Sequence, residues 1–341
     1  MSRRTVSLLV FGLLLLLLLW LVPEVPLLVF AAALVGVFLH GGSNLLRRVL
    51  PVSNGIGVLI FVLLLLLLTA AFGFLAARPM ADQFNELWQQ VPQAAQSLTR
   101  RLERYSWGQQ ILDNFRPSNL SLPQGGGAGA VSALNVTFGA LGNAVLVLFL
   151  GLYFAIDPQL YRRGIEAMLA PSLRPKASRV AEEAAHTLRG WLGAQMISMA
   201  VVGLLTGLGL WLIGVPLAPV LGVLSALLAF IPTIGPVMAA VPGVLLGLSG
   251  GFSGAVSVIG VYLAVQSVES YLITPYVQKR SVDLPEAATI ISLVAFGLLY
   301  GFLGMLLATP LAALVLMLVR RLYVEDYLDR ESAAERPAPQ A

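Results

Sequence analysis

PLAPVLGVLSALLAFIPTIGPVMAAVP, residues 216–242, is the stretch on which the reading of this chain turns. It is apolar enough to lie in lipid, yet Pro232, Gly235 and Pro236 interrupt its centre. A proline ring removes a backbone donor and collides with the preceding turn, so one continuous helix through IPTIGP is not expected. Broken backbone at membrane depth is tolerated where it is buried in protein or lines a polar cavity. Two half-helices meeting at such a break are a common way for a transporter to build its binding site. The plainer alternative is a kink between two ordinary helices.

Composition sets the class. Of 341 residues, 58% are hydrophobic and 11% charged, and the mean hydropathy is +0.86. A soluble domain carries about 25% charged residues, so this is an integral membrane protein, read as all-α. The net charge of +4 does not point to nucleic acid, because the basic residues flank apolar runs. There is no cysteine, which excludes disulfides and thiolate metal sites. The only histidines are His40 and His186 and no HExxH pattern exists, so neither a metal centre nor another cofactor is expected. Lys176 and Lys279 follow no GxxxxGK pattern, which leaves no P-loop for ATP.

The chain then divides as follows. Arg3 and Arg4 precede residues 6–22, read as an uncleaved first span, with a cleaved signal peptide as the alternative. Spans two and three are expected at 27–39 and 56–77, completing an N-terminal region 1–77. In 78–134, Phe84, Leu87, Trp88, Val91, Ala95, Leu98, Leu102 and Tyr105 recur at helical spacing. Arg100, Arg101, Glu103 and Arg104 stand off that stripe. This predicts an extracytoplasmic amphipathic helix, followed by a flexible linker at 124–130, QGGGAGA. A fourth span in 135–157 ends at Asp157, read as a helix cap, with ion coupling as the alternative. The basic excess of 158–189 marks a cytoplasmic loop, and both termini, including the tail 321–341, are placed on that side.

Residues 190–320 read as one unit written twice, 190–249 and 252–320. Trp191 and Gln195 open the first copy, and Tyr262 and Gln266 open the second with the same spacing. Pro216, Leu224, Ala226, Gly235 and Ala239 recur 69 residues later as Pro285, Leu293, Ala295, Gly304 and Ala308. Spans five and six are expected at 191–213 and 252–273. The basic pairs Lys279/Arg280 and Arg320/Arg321 should both be cytoplasmic, so 284–319 must enter and leave on one side. Its first arm, 285–299, is shorter than the roughly 20 residues needed to cross. That predicts a re-entrant hairpin with its tip near Tyr300 and Gly301, and an inverted counterpart at 216–249 with its tip at IPTIGP. The expected total is about eight membrane segments: six full spans and two re-entrant hairpins.

Within that frame Glu269, in QSVESYLITP, is the leading functional candidate, because an ionisable group inside a span is costly. The alternative places it at the interface, paired with Lys279 or Arg280. Gln266, Ser270 and Thr274 extend the polar character, and Gln195 is the repeat counterpart of Gln266. Each glutamine would serve equally as a hydrogen bond between helices. Thr233, at the first tip, has hydroxyl and carbonyl oxygens to offer a cation or polar solute. Pro232, Gly235, Pro236, Pro275, Gly301, Gly304 and Pro310 mark tips and breaks. Gly251 to Gly254 has the GxSG form of an intramembrane serine protease, but neither histidine is placed to activate Ser253, and no enzyme is expected.

GVPLAPVLGVLSALLAFIPTIGPVMAAVPG (214–243), QSVESYLITPYVQKRSVDLP (266–285) and GFLGMLLATPLAAL (301–314) resemble the AI-2E transporter family, over about residues 5–322. One departure is Ser270, which stands after Glu269 where a small amide belongs. The resemblance implies a multi-pass bacterial plasma-membrane protein, homo-oligomeric and ATP-independent. Its implied activity is export of a small polar solute similar to autoinducer-2, driven by an ion gradient, or sodium(lithium)/proton antiport. Membrane lipid, the solute, Na+ and H+, and further copies of the chain are the implied partners. A non-transporting membrane scaffold is the remaining alternative.

Overall fold

The computed structural model describes residues 24–102, 127–249, 251–273 and 285–328, with the single positions 12, 21, 22 and 275. Among the described residues all regular structure is helical: α1 (Glu24–Leu46), α2 (Asn54–Leu102), α3 (Gly127–Ile156), α4 (Pro158–Met168), α5 (Arg174–Leu212), α6 (Ala218–Leu228), α7 (Ile234–Ser249), α8 (Phe252–Val268) and α9 (Glu286–Val319). Wider π-helical segments, Glu269–Ile273 and Arg320–Leu328, continue α8 and α9. Five helices are long and apolar enough to cross a membrane, or six if the bent pair α3–α4 forms one span. The protein is therefore an all-α polytopic membrane protein. The expected first span at 6–22, Thr274, and the basic pair Lys279/Arg280 lie outside the described residues.

Two boundaries differ from the sequence expectation. The third span and the amphipathic segment form one helix, α2, of 49 residues. Pro79 removes one hydrogen bond, but leaving lipid does not end a helix whose side-chain period continues. The second difference is at the glycine-rich stretch: Gly127–Ala130 already belong to α3. Propagation adds one hydrogen bond per residue fixed, so the apolar run that follows carries the helix back into the glycines.

The chain forms two compact units. The first comprises described parts of Met1–Leu66, Asn143–Ala194 and Val277–Ala341. There α1 packs on α3 so closely that a Cβ at Gly36 would lie 2.8 Å from the Phe154 Cβ, and one at Gly151 would lie 2.7 Å from Val35. Leu39, Val58 and Ala155 form the core beside this crossing. The carbonyls that end α3 have no helical partner of their own. Asn54 Nδ2 donates to the Ile156 carbonyl at 2.6 Å, and the His40 ring nitrogen lies 3.2 Å from the Ala155 carbonyl. Asp157 then caps α4, accepting from the Leu160 amide at 3.1 Å, with Pro158 in the first turn. The chain bends by 89° there.

The second unit comprises described parts of Leu67–Gly142 and Gln195–Tyr276. Leu210, Leu221, Leu246 and Val258 are its buried centre, with Leu87 of α2 packed among them. These residues come from α5, α6, α7 and α8. Their packing holds the broken segment against two spans.

Candidate functional site

The site begins where α6 stops. The Ser225, Leu227 and Leu228 carbonyls accept from the amides of Ala229, Phe230 and Ile231. Pro232 follows and has no amide hydrogen to continue the ladder. Thr233 takes φ 70°, a left-handed conformation rare for a β-branched residue. The Gly235 amide bonds the Ile231 carbonyl at 2.9 Å and starts α7. A Cβ on Gly235 would lie 1.8 Å from the Leu228 oxygen. Only glycine lets the second arm sit against that carbonyl.

The same device recurs in α9. Gly301, at φ 61° and ψ −143°, interrupts the helix. A Cβ on Gly304 would lie 2.0 Å from the Phe296 oxygen, eight residues back. In an unbroken helix eight residues span about 12 Å, so the chain folds back on itself here. The repeat-matched glycines Gly235 and Gly304 thus sit at equivalent crossings. Pro310 is buried within the second arm without ending it, and Pro275 is exposed.

Polar side chains gather beside the first break. Glu269 begins the π-helical segment after α8, a geometry that often marks functional sites. Its Oε1 accepts from Ser198 Oγ at 2.5 Å and its Oε2 accepts from Gln266 Nε2 at 3.1 Å. Ser198 is buried on α5. Three residues earlier on that helix, Gln195 Nε2 donates to the Ala229 carbonyl at 2.7 Å, fixing the end of the α6 arm. Glu269, Gln266 and Ser198 therefore form one cluster, and Gln195 anchors the arm next to it. Thr233 and Ser270 are exposed and take no part in these bonds.

Gln266 also lines a cavity of about 180 Å³ between α5, α6, α7 and α8. Thr206, Ser225 and Tyr262 contribute its other polar groups, and the Tyr262 hydroxyl donates to the Ala239 carbonyl at 3.0 Å. Among the described residues no group of three or more His, Asp or Glu could hold a metal ion.

Sequence reasoning missed Ser198, Thr206 and Ser225. A lone hydroxyl on an apolar helix adds nothing to the hydrophobic period. One signal was present for Ser198. The register that pairs Trp191 with Tyr262 and Gln195 with Gln266, extended by three residues, pairs Ser198 with Glu269.

Comparison with known proteins adds the family. The model of the "AI-2E family transporter" family matches residues 9–323. The chain is 26% identical to "Putative transport protein YueF" of Bacillus subtilis (strain 168), covering 75% of this chain and 72% of that one. It is 30% identical to the similarly named MT0215 of Mycobacterium tuberculosis (strain CDC 1551 / Oshkosh), over 54% of this chain and 51% of the relative. It is 29% identical to "AI-2 transport protein TqsA" of Escherichia coli (strain K12), over 52% and 51% of the two chains.

Proposed function

The chain belongs to the AI-2E transporter family, and from that premise we propose that it exports a small polar solute across the bacterial plasma membrane, driven by an ion gradient coupled through Glu269. Membrane transport is the family's activity; solute, direction and coupling are our reading. The observation that carries it is the Glu269 carboxyl at the end of a span, where it accepts from the Ser198 hydroxyl and the Gln266 amide.

An ionised carboxylate only accepts, so it suits both donors at once. Protonation turns one oxygen into a donor. Either Ser198 must then accept instead, or the Gln266 amide must turn away. Proton binding at Glu269 is thereby linked to the state of Gln266, which faces the cavity. In this reading the hairpins are re-entrant and oppositely directed, with both termini and 158–189 in the cytoplasm.

Sodium(lithium)/proton antiport is the second reading, favoured by one specific feature. The Ser198 hydroxyl and both Glu269 oxygens form an oxygen set that a hard cation accepts in place of the proton. Purified protein in liposomes with a trapped pH dye separates the two. Proton movement driven by a small polar solute, and lost in Glu269→Gln, is expected for export. Proton movement driven by a sodium pulse alone would replace the export reading with antiport. Identical traces for wild type and Glu269→Gln under every gradient would remove Glu269 from coupling.

A further inference from the structure

The cavity beside Tyr262 has a composition that restricts what it can hold. Its polar groups are the Thr206, Ser225 and Tyr262 hydroxyls and the Gln266 amide, and the rest of its described lining is apolar, including Val237 and Ile259. Among the described residues no carboxylate, guanidinium or ammonium lines it. Thr206 is fully buried, and its Oγ1 finds no hydrogen-bond partner among the described residues. Ser225 is 1% exposed, and its Oγ faces the Tyr262 hydroxyl without completing a bond of good geometry. A buried hydroxyl left unpaired carries its full desolvation penalty, so a ligand that pairs it has a ready source of affinity.

We propose that this cavity binds an uncharged, hydroxyl-rich solute of on the order of six to eight non-hydrogen atoms. The size follows from the volume, about six waters at roughly 30 Å³ each. Water alone fits the walls poorly, because each molecule needs two to four polar partners and the apolar lining offers none. A short polyol turns its carbon edge to Val237 and Ile259 and its oxygens to Thr206, Ser225 and Gln266. A charged solute of the same size would lose its hydration against these groups, which offer no counter-charge. The assignment rests on the export reading for its role as substrate site, since Gln266 both lines the cavity and bonds Glu269. Solute bound to Gln266 then competes with Glu269 for the same amide.

The chain has no cysteine, so Val237→Cys places a single thiol in the cavity wall and leaves its hydroxyls in place. The readout is its rate of modification by methyl methanethiosulfonate in the full-length protein in liposomes. Erythritol should slow the reaction saturably. Sorbitol, an osmolyte control too large for the space, and erythronate, its charged relative, should not. Adding Thr206→Val should weaken erythritol protection about 3- to 10-fold, the effect of one lost hydrogen bond. Protection should persist with Glu269→Gln, which has no atom in the cavity wall. No protection by erythritol, or equal protection by sorbitol or erythronate, overturns the assignment. Should Val237→Cys fail to fold, thermal unfolding of the wild type and Thr206→Val decides instead. Erythritol must then raise the wild-type Tm more than that of the variant, and equal shifts overturn the proposal. Protection without any solute-driven proton movement would sink the export reading and leave the binding site standing. Solute-driven movement without protection would do the reverse.

Discussion

The two backbone breaks, α6–α7 and the middle of α9, share a device and differ in their equipment. In each, a glycine lies against a carbonyl of the preceding arm, Gly235 on Leu228 and Gly304 on Phe296. The first break has Gln195 bonded to its arm and the Glu269 cluster and hydroxyl-lined cavity beside it. The second carries an aromatic stack, Phe296 on Tyr300, and one buried hydroxyl, Thr309. Its only nearby carboxylate among the described residues of α9 is Glu286, exposed in the first helical turn. The shared geometry is thus a solution to folding apolar chain back on itself. Among the described residues the cluster of polar side chains lies beside the first break.

That contrast can be attacked from several sides. The largest expected effect is on coupling: Glu269→Gln should reduce gradient-driven flux to that of empty liposomes, whereas Glu286→Gln should lose no more than a helix-end charge effect of about 0.3–1 kcal/mol in stability. A flux defect as severe in Glu286→Gln would place chemistry at both breaks. Next come the crossings. Gly235→Ala and Gly304→Ala should each destabilise by at least the ~1–3 kcal/mol of ordinary overpacking, because the obstacle is backbone. A normal unfolding temperature for either would separate the two breaks geometrically. Gly301→Ala should cost about 1–3 kcal/mol, since its φ and ψ suit glycine alone. Thr233→Gly, by contrast, relieves a left-handed threonine but loosens the unfolded chain, and should stay within about 1 kcal/mol of wild type. The smallest effect is expected at Thr309. Thr309 Oγ1 is buried with no partner among the described residues, so Thr309→Val should gain about 1 kcal/mol and leave flux unchanged. A flux loss in Thr309→Val would give the second break a polar role it is not assigned here.

What the sequence revealed follows from what each signal measures. Proline and glycine report backbone geometry directly, which is why Pro232, Gly235, Gly301 and Gly304 were legible as break points. Glu269 stood out because an ionisable group inside an apolar run is costly. Its partner Gln266, three residues earlier on the same helix, was legible with it, whereas Ser198 meets it from α5, and such a contact leaves no local period. Thr233 was read from its place at the first tip and Ser270 from its place beside Glu269, and both side chains are exposed. The extent of α2 was obscured by its own charges: hydropathy reports where lipid ends, and backbone hydrogen bonding continues past that point.

The corner at Asp157 has a consequence for the protein's surroundings. After the 89° bend, α4 carries Leu160, Ile165 and Met168, all exposed, on one side. Gln159, Arg162 and Glu166 occupy the other, with Arg162 and Glu166 paired at 3.5 Å. A short helix of that pattern, set at a right angle to a span, is suited to lie in the headgroup region. A helix held there would fix the depth of the span it follows, so that bilayer thickness would be answered by tilt of α3. Membranes of differing acyl length would then tune the protein without any change in its sequence.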